Sequence, residues 1–183
     1  MLPGIVRTVG IIDGVFHQSL AVSPKEILPL LERGVRVYGA SSIGALRAAE
    51  LREYGMTGVG KIYEMYRDGT IDADDEVAVA YDPETGRAVS EPLVNIRVTL
   101  EAAVAQQVVS RTEAETVIRS MRDIYYPMRS YSLVETVAPM LGPFLKRARR
   151  DQKREDALLL LEILAAEEAE LQTAEGKNHL MRR

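Results

Sequence analysis

Two adjacent serines, Ser41 and Ser42, are the residues of this sequence with the clearest chemical potential. They lie in VRVYGASSIGALRAAEL, between a β-branched run and an alanine-rich segment of good helix formers. A serine at a sharp strand-to-helix turn lies beside the unpaired N–H groups of the helix, as in the nucleophile elbow G-x-S-x-G. The run Ala40-Ser41-Ser42-Ile43-Gly44 puts Ser42 in the register of that serine, with Ala40 replacing the first glycine.

Three uses of this corner are open from the spacing. Ser42 would attack an acyl or thioacyl carbon while N–H groups at Ile43 and Gly44 stabilise the oxyanion. Alternatively, one serine caps the following helix, as serines commonly do. The third use is noncovalent binding of an anion at the helix N-terminus. With Ser41 beside Ser42, one serine can cap while the other reacts.

A nucleophilic serine needs a proton acceptor, and the stretch IDGVFHQS offers two. Asp13 follows the preceding predicted strand and is the best placed by topology, although Asp13-Gly14 is also an ordinary turn sequence. His17 is a second candidate base, but it is also consistent with a loop residue.

Charged residues near the corner are candidates for substrate binding. Lys25 opens the first predicted helix on the same sheet edge. Arg47 follows the serines on the next helix and would hold a terminal carboxyl group, unless it only pairs with Glu50. Asp75 and Glu76 belong to the acidic stretch TIDADDE, which lacks the glycine of a calcium loop. We expect either a solvated loop there or an acidic edge folded over the site.

The elements that must position these residues form an α/β pattern. A buried strand over Thr8–Ile12, a helix from the Ser23 cap to Gly34 and the strand VRVYGA predict a right-handed βαβ unit. We therefore expect a mostly parallel sheet core over residues 1–92 and a helical C-terminal region over residues 93–183, packed together as one domain. Helical periodicity falls near residues 95–109, 112–125, 131–141 and 143–174.

Composition excludes several kinds of chemistry. The 183 residues contain no cysteine, so thiolate nucleophiles and protein-bound persulfides are excluded. With two histidines, a multi-histidine metal site is not expected. The net charge of -4 argues against nucleic-acid binding, and no apolar run approaches the roughly 20 residues that span a bilayer. A cytoplasmic protein without a membrane segment is expected.

The blocks IIDGVF, KEIL, RGVRVYGASSIGALRAAEL, GMTGVGKIYEMYRDG and DDEVAVA resemble the core of the TfuA-like proteins, in the same order and with similar gaps. The resemblance implies a partner of YcaO enzymes, which use ATP and magnesium to convert backbone amides into thioamides. It also implies hydrolysis of the thiocarboxylate terminus of a ThiS-like sulfur carrier and help with substrate engagement. No cofactor is expected on this chain. The modified substrate would be a peptide precursor or a protein such as methyl-coenzyme M reductase.

One departure from the family pattern concerns the first helix. Many relatives have an aromatic-histidine pair just before KEIL, where this chain has Ser23-Pro24. The leading hypothesis is a thioamidation accessory with carrier-thiocarboxylate hydrolase activity, with Ser42 as nucleophile or oxyanion-site residue, Asp13 as base or orienter and Arg47 as anchor for the carrier's terminal carboxyl group. The alternatives are a non-catalytic adaptor that recruits YcaO or its substrate, and a serine esterase unrelated to sulfur.

Overall fold

The structure is a computed structural model that describes residues 6–12 and 21–180. Its strands are β1 Thr8–Ile11, β2 Arg36–Ala40 and β3 Thr57–Val59. Its helices are α1 Pro24–Glu32, α2 Ile43–Glu50, α3 Lys61–Arg67, α4 Leu93–Ala105, α5 Arg111–Arg122, α6 Tyr131–Val137, α7 Gly142–Ala148 and α8 Gln152–Leu180. This order confirms the predicted α/β class, with a βαβ unit first and a run of helices after it.

The three strands form one parallel sheet in the order β1-β2-β3. Ile11 pairs with Gly39 in the register of the first two strands. Because parallel strands end on the same sheet edge, the residues that follow β1 and β2 lie side by side. The N–H of Ser42 accordingly donates to the carbonyl of Ile12 at 3.1 Å.

Helices cover both faces of the sheet. Successive strand residues point to opposite faces. The phenol of Tyr38 donates to Glu167 of α8, and a Cβ at its neighbour Gly10 would meet Leu164 of α8. A Cβ at Gly39, on the other face, would meet the backbone of α2. The sheet therefore lies between α2 and α8.

The first helix begins as its sequence predicts. The carboxylate of Glu26 accepts both the backbone N–H of Ser23, at 2.8 Å, and its hydroxyl, at 2.9 Å. Pro24 takes the first helical position, where its missing N–H costs nothing. Gly34, with a φ of 76°, follows the last turn and leads into β2.

Helix α4 is the centre of the helical region. Nine of its thirteen residues are buried. Its apolar residues pack against α5, α6 and α7 as well as against α2 and α3. A helix with apolar residues on several sides requires such covering. This packing joins the sheet layer to the C-terminal helices.

Helix α8 is held to the α/β layer by a buried carboxylate. Asp156, 2% exposed, accepts the backbone N–H groups of Lys61 at 3.0 Å and Ile62 at 2.8 Å. These N–H groups open α3 and have no partner within their own helix. Gly60 precedes them with a φ of 89°, and a Cβ there would collide with Asp156.

The structure differs from the sequence expectations in three elements. Strand β3 was not predicted, because TGV is short and contains glycine. The turn residues of DPETG predict a β-hairpin over residues 77–92, but the structure there shows one isolated antiparallel bridge, between Tyr81 and Ala88. The segment predicted as a helix over 143–174 is divided between α7 and α8, which are separated by residues 149–151.

Candidate active site

The turn between β2 and α2 is strained at Ser41. This residue has a φ of 72°, which is unfavourable for a side chain other than glycine. The N–H of Ser42 donates back to the carbonyl of Ala40 at 2.9 Å, which closes a γ-turn centred on Ser41. A γ-turn with positive φ is rare, and such strain costs of order 1–3 kcal/mol. The corner is therefore a conformation that the surrounding structure must impose.

A second residue has positive φ for an ordinary reason, which sets Ser41 apart. Of the described residues other than glycine, Gln107 also has positive φ, at 57°. It lies just after α4, where a left-handed residue commonly ends a helix. Ser41 lies between the end of a strand and the start of a helix, so the usual reason for a left-handed residue, the end of a helix, does not apply to it.

Two glycines make the turn sterically feasible. A Cβ at Gly39 would lie 2.0 Å from the carbonyl oxygen of Gly44, and one at Gly44 would lie 1.9 Å from the carbonyl oxygen of Ile11. The strands and α2 thus approach closer than any side chain permits. The sequence register put Ser42 at the apex of the elbow, whereas the strained apex is Ser41, two residues after Gly39.

Ser42 occupies the N-cap position of α2, but its side chain makes no capping hydrogen bond. Both serines are 3% exposed. Of the two, Ser41 lines a cavity and Ser42 is not among that cavity's described lining residues. Ser41, rather than Ser42, is therefore the candidate reactive residue at this sheet edge.

The cavity beside Ser41 has a volume of ≈ 320 Å³. Its walls come from the ends of β1 and β2, from the segment before α4, from α4 itself and from the start of α8. The lining residues are Ile12, Ser41, Val79, Tyr81, Ala88, Ser90, Glu91, Pro92, Asn95, Asp151, Lys153, Arg154 and Ala157. The cavity combines an apolar lining with charges of both signs.

Asn95 organises the polar side of this cavity. Its Nδ2 donates to Glu91 Oε1 at 2.9 Å and to Asp151 Oδ1 at 3.2 Å, while its Oδ1 accepts the N–H of Lys153 at 3.3 Å. Asp151 Oδ1 also accepts the N–H of Arg154 at 3.1 Å in the first turn of α8. Two carboxylate acceptors and one N–H donor fix the orientation of the Asn95 amide. The Glu91 carboxylate is thereby held in place.

Burial raises the pKa of the Glu91 carboxyl group above its usual value, because desolvation disfavours the charged form. The hydrogen bond from Asn95 opposes this rise, and the negative charge of Asp151 adds to it. The positive charges of Arg149 and Lys153 act in the opposite direction. A carboxyl group with a raised pKa in a cavity is suited to proton transfer.

Arg47 and Glu50 lie at a different cavity from Ser41. Arg47 Nη1 pairs with Glu50 Oε2 at 2.6 Å, and Arg47 Nε donates to the carbonyl of Val22 at 2.8 Å. They line a second cavity of ≈ 480 Å³, whose lining is Ala21, Ile43, Leu46, Arg47, Glu50, Asp72, Ala73 and Asp74. The structure therefore does not bring Arg47 to the Ser41 cavity, and Ile43 lies with Arg47.

Asp75 and Glu76 are bound by buried arginines. Arg97 of α4 donates to both oxygens of Glu76, at 2.8 and 2.6 Å, and Glu76 is 2% exposed. Arg129, 1% exposed, donates to the Asp75 carboxylate and, at 2.8 Å, to its carbonyl. The expectation of a solvated loop is wrong at Glu76, because sequence spacing gave no sign of the distant arginines. Both carboxylates anchor the acidic loop to the helices.

The remaining predicted site residues have varied positions. Lys25 is exposed in the first turn of α1, and Gly44 is buried at the contact between α2 and β1. Asp13, Gly14 and His17 lie outside the described residues, so their predicted roles remain predictions.

The sequence analysis missed Glu91, Asn95, Asp151 and Lys153 as cavity residues. One signal was available: Asn95 is a polar residue among the apolar residues of LVNIRVTLEAAVA, and a polar side chain on a buried helix requires partners. Asp151 and Lys153 come from more than fifty positions further along the chain. No local pattern connects them to the serines.

Among residues 6–12 and 21–180, no group of three or more His, Cys, Asp or Glu side chains is arranged to hold a metal ion. The same described part contains no helix with the length and apolar character needed to cross a membrane.

Fold and site define an α/β protein with a serine γ-turn at the carboxyl edge of a parallel sheet. The family model described as TfuA-like protein matches residues 13–130, well over half of the chain, and the chain belongs to this family. The resemblance noted from the sequence is thus confirmed. No curated protein matches the chain. The matched region includes the serine corner and Glu91, whereas α8 follows it.

Proposed function

We propose that this protein is an accessory of ATP-dependent peptide-backbone thioamidation by a YcaO enzyme, and that it releases sulfide from a thiocarboxylated ThiS-like carrier. Membership of the TfuA-like family supports the association with a YcaO enzyme. The observation that supports hydrolysis is the strained γ-turn that places Ser41 at the wall of a cavity. Strain of this kind is concentrated at functional sites.

The chemistry requires a nucleophile and an acyl-sulfur group. The serine oxygen attacks the carbonyl carbon of the carrier's terminal thiocarboxylate, the C–S bond breaks, and the serine proton leaves with sulfur as hydrosulfide. Water then cleaves the resulting ester, which regenerates the hydroxyl and leaves a carboxylate on the carrier. A chain without cysteine does not retain the released sulfur as a persulfide.

Ser41 is the preferred nucleophile, in place of the Ser42 expected from the sequence register. Ser41 combines positive φ with a position in the cavity lining, and Ser42 has neither. The N–H groups of the first turn of α2, which have no partner within their own helix, are suited to stabilise an oxyanion near the corner. Ser42 contributes through its backbone, whose N–H closes the γ-turn.

The proposal assigns the remaining components to partners. ATP and magnesium act on the YcaO enzyme, and no cofactor is assigned to this chain. The cavity cations Lys153 and Arg154 favour the anionic end of a carrier tail. The modified substrate is a peptide or a protein such as methyl-coenzyme M reductase.

The test is sulfide release from a thiocarboxylated carrier by the wild type, Ser41→Ala and Ser42→Ala. Loss of the nucleophile should lower the rate by about three orders of magnitude or more in Ser41→Ala. Ser42→Ala should retain most of the rate. Ser120→Ala on α5, whose hydroxyl donates to the carbonyl of Thr116 in its own helix, is the matched control and should have the same rate as the wild type. Equal rates from Ser41→Ala and the wild type would exclude the nucleophile role.

The same variants separate the alternative functions. If Ser41→Ala supports full YcaO-dependent thioamidation with free sulfide withheld, the chain is an adaptor without hydrolytic action. If the wild type cleaves simple activated esters but leaves the carrier thiocarboxylate intact, it is a serine esterase unrelated to sulfur.

A further inference from the structure

Glu91 and Ser41 line the same cavity from different parts of the fold. Ser41 lies at the end of β2, and Glu91 lies in the segment that leads into α4. The backbone N–H of Glu91 donates to the carbonyl of Arg129 at 2.9 Å, and its carboxylate accepts Asn95 Nδ2 at 2.9 Å. Since Arg129 is itself buried and bound to Asp75, both ends of Glu91 are fixed.

The stability of the fold does not account for a carboxylate at this position. Asp75 and Glu76 each face a buried arginine, but the side-chain partner of Glu91 is a neutral amide. Burying a carboxylate without a cationic hydrogen-bond partner is unfavourable. The charged groups that face it from neighbouring elements are Arg149, Asp151, Lys153 and Arg154. Their mixed signs leave desolvation as the dominant effect on its pKa.

We propose, on the basis of the proposed function, that Glu91 accepts the proton of the water that hydrolyses the acyl-Ser41 ester. The water oxygen bonds to the acyl carbon while one water proton moves to the Glu91 carboxylate. The bond between the acyl carbon and Ser41 Oγ then breaks, and Glu91 returns the proton to Ser41 Oγ. The products are the carrier's free carboxyl group and an unmodified serine, with no oxidant or reductant required.

This role concerns the second half of the reaction. In the first half, the proton of the serine leaves with the sulfur, so acylation does not depend on Glu91. Asp13, the base or orienter expected from the sequence, would serve that first step. Loss of Glu91 should therefore permit one turnover and prevent the next.

The experiment measures sulfide released per protein in the first turnovers and then at steady state. In Glu91→Gln, where the amide oxygen can still accept Asn95 Nδ2, we expect a burst near one equivalent. The following steady rate should be about 10²–10⁴-fold below that of the wild type. Mass spectrometry should detect the carrier esterified to the protein. Glu115→Gln, an exposed change on α5, is the control and should behave as the wild type.

A second measurement uses the unaltered protein, so it does not depend on the folding of a variant. The steady rate of the wild type should fall as the pH decreases through the raised pKa of Glu91, because protonated Glu91 accepts no proton. The size of the burst should not follow this transition. Glu91→Asp should restore part of the steady rate.

Each outcome has a distinct meaning. A wild type that releases no sulfide refutes the proposed function. A wild type that turns over while folded Glu91→Gln turns over equally, or loses the burst together with the steady rate, refutes the role of Glu91 alone. A steady rate without a pH transition above the ordinary carboxyl range also contradicts it.

Discussion

Replacing Gly44 with alanine tests whether the corner depends on close backbone contact. The added Cβ would lie 1.9 Å from the carbonyl oxygen of Ile11 and 2.6 Å from its carbonyl carbon. Both atoms are backbone, so α2 or β1 must move by about 1.5 Å before an ordinary contact of 3.4 Å is restored. Overpacking of this severity costs about 3 kcal/mol or more.

The higher helix propensity of alanine offsets part of this steric cost, so its contribution is subtracted from the expected loss of unfolding free energy. Alanine is favoured over glycine by about 1 kcal/mol within a helix. We therefore expect the Gly44→Ala protein to lose at least about 2 kcal/mol of unfolding free energy. For a chain of this size, the loss corresponds to a decrease in Tm of roughly 4–8 °C. Thermal unfolding followed by circular dichroism, together with urea denaturation, measures both quantities.

Gly142 supplies a matched control, because it also lies at the start of a helix and has an ordinary φ of -50°. A Cβ there would meet Glu135 Oε1 at 2.4 Å, which is the end of a flexible side chain that can rotate away. Gly142→Ala should range from neutral to about 1 kcal/mol more stable. If Gly44→Ala is as stable as Gly142→Ala, the steric reasoning about the corner is refuted.

Two further predictions concern buried carboxylates. Arg97→Ala should lower the unfolding free energy by about 3–5 kcal/mol because it leaves Glu76 buried without its partner, whereas Arg97→Met combined with Glu76→Leu should recover most of this loss. Urea denaturation measures these losses. An equal loss of unfolding free energy in the single and double variants would argue that the Arg97–Glu76 pair is not the cause. For Glu91, the raised pKa contributes stability below about pH 4.5 that is lost as the pH rises through the folded-state value. Glu91→Gln should consequently be more stable than the wild type at pH 7 and indistinguishable near pH 4. A Tm at pH 7 below that of the wild type would contradict the predicted sign.

Local signals in the sequence were sufficient for the βαβ unit. The capping residues Ser23 and Glu26, the helix stop at Gly34 and the β-branched strand before the serines each act within a few residues. Such short-range patterns predict element type because the relevant contacts are local. The sheet edge on which the serines lie follows from the parallel topology alone.

The register of the corner and the composition of the cavity required three-dimensional contacts. The elbow spacing favoured Ser42, because Ala40 and Gly44 are small residues at its two flanking positions, whereas Ser41 has Gly39 and Ile43 there. The positive φ of Ser41 and its place in the cavity lining distinguish the two serines, and neither property follows from local spacing. The roles of Asp75 and Glu76 depended on Arg129 and Arg97, which are distant in sequence. Tertiary pairing of this kind leaves no local pattern.

The walls of the Ser41 cavity lie partly inside and partly outside the region that the family model matches. The serine turn belongs to the region that the TfuA-like model matches, but the wall formed by Asp151, Lys153 and Arg154 follows residue 130. Under the proposed function, family members that share the serine corner can therefore differ in the residues that meet the carrier tail. Under the proposed function, exchanging the segment from residue 149 onward between two such proteins should change which carrier tail is accepted and, through Asp151 and Lys153, the orientation of Asn95.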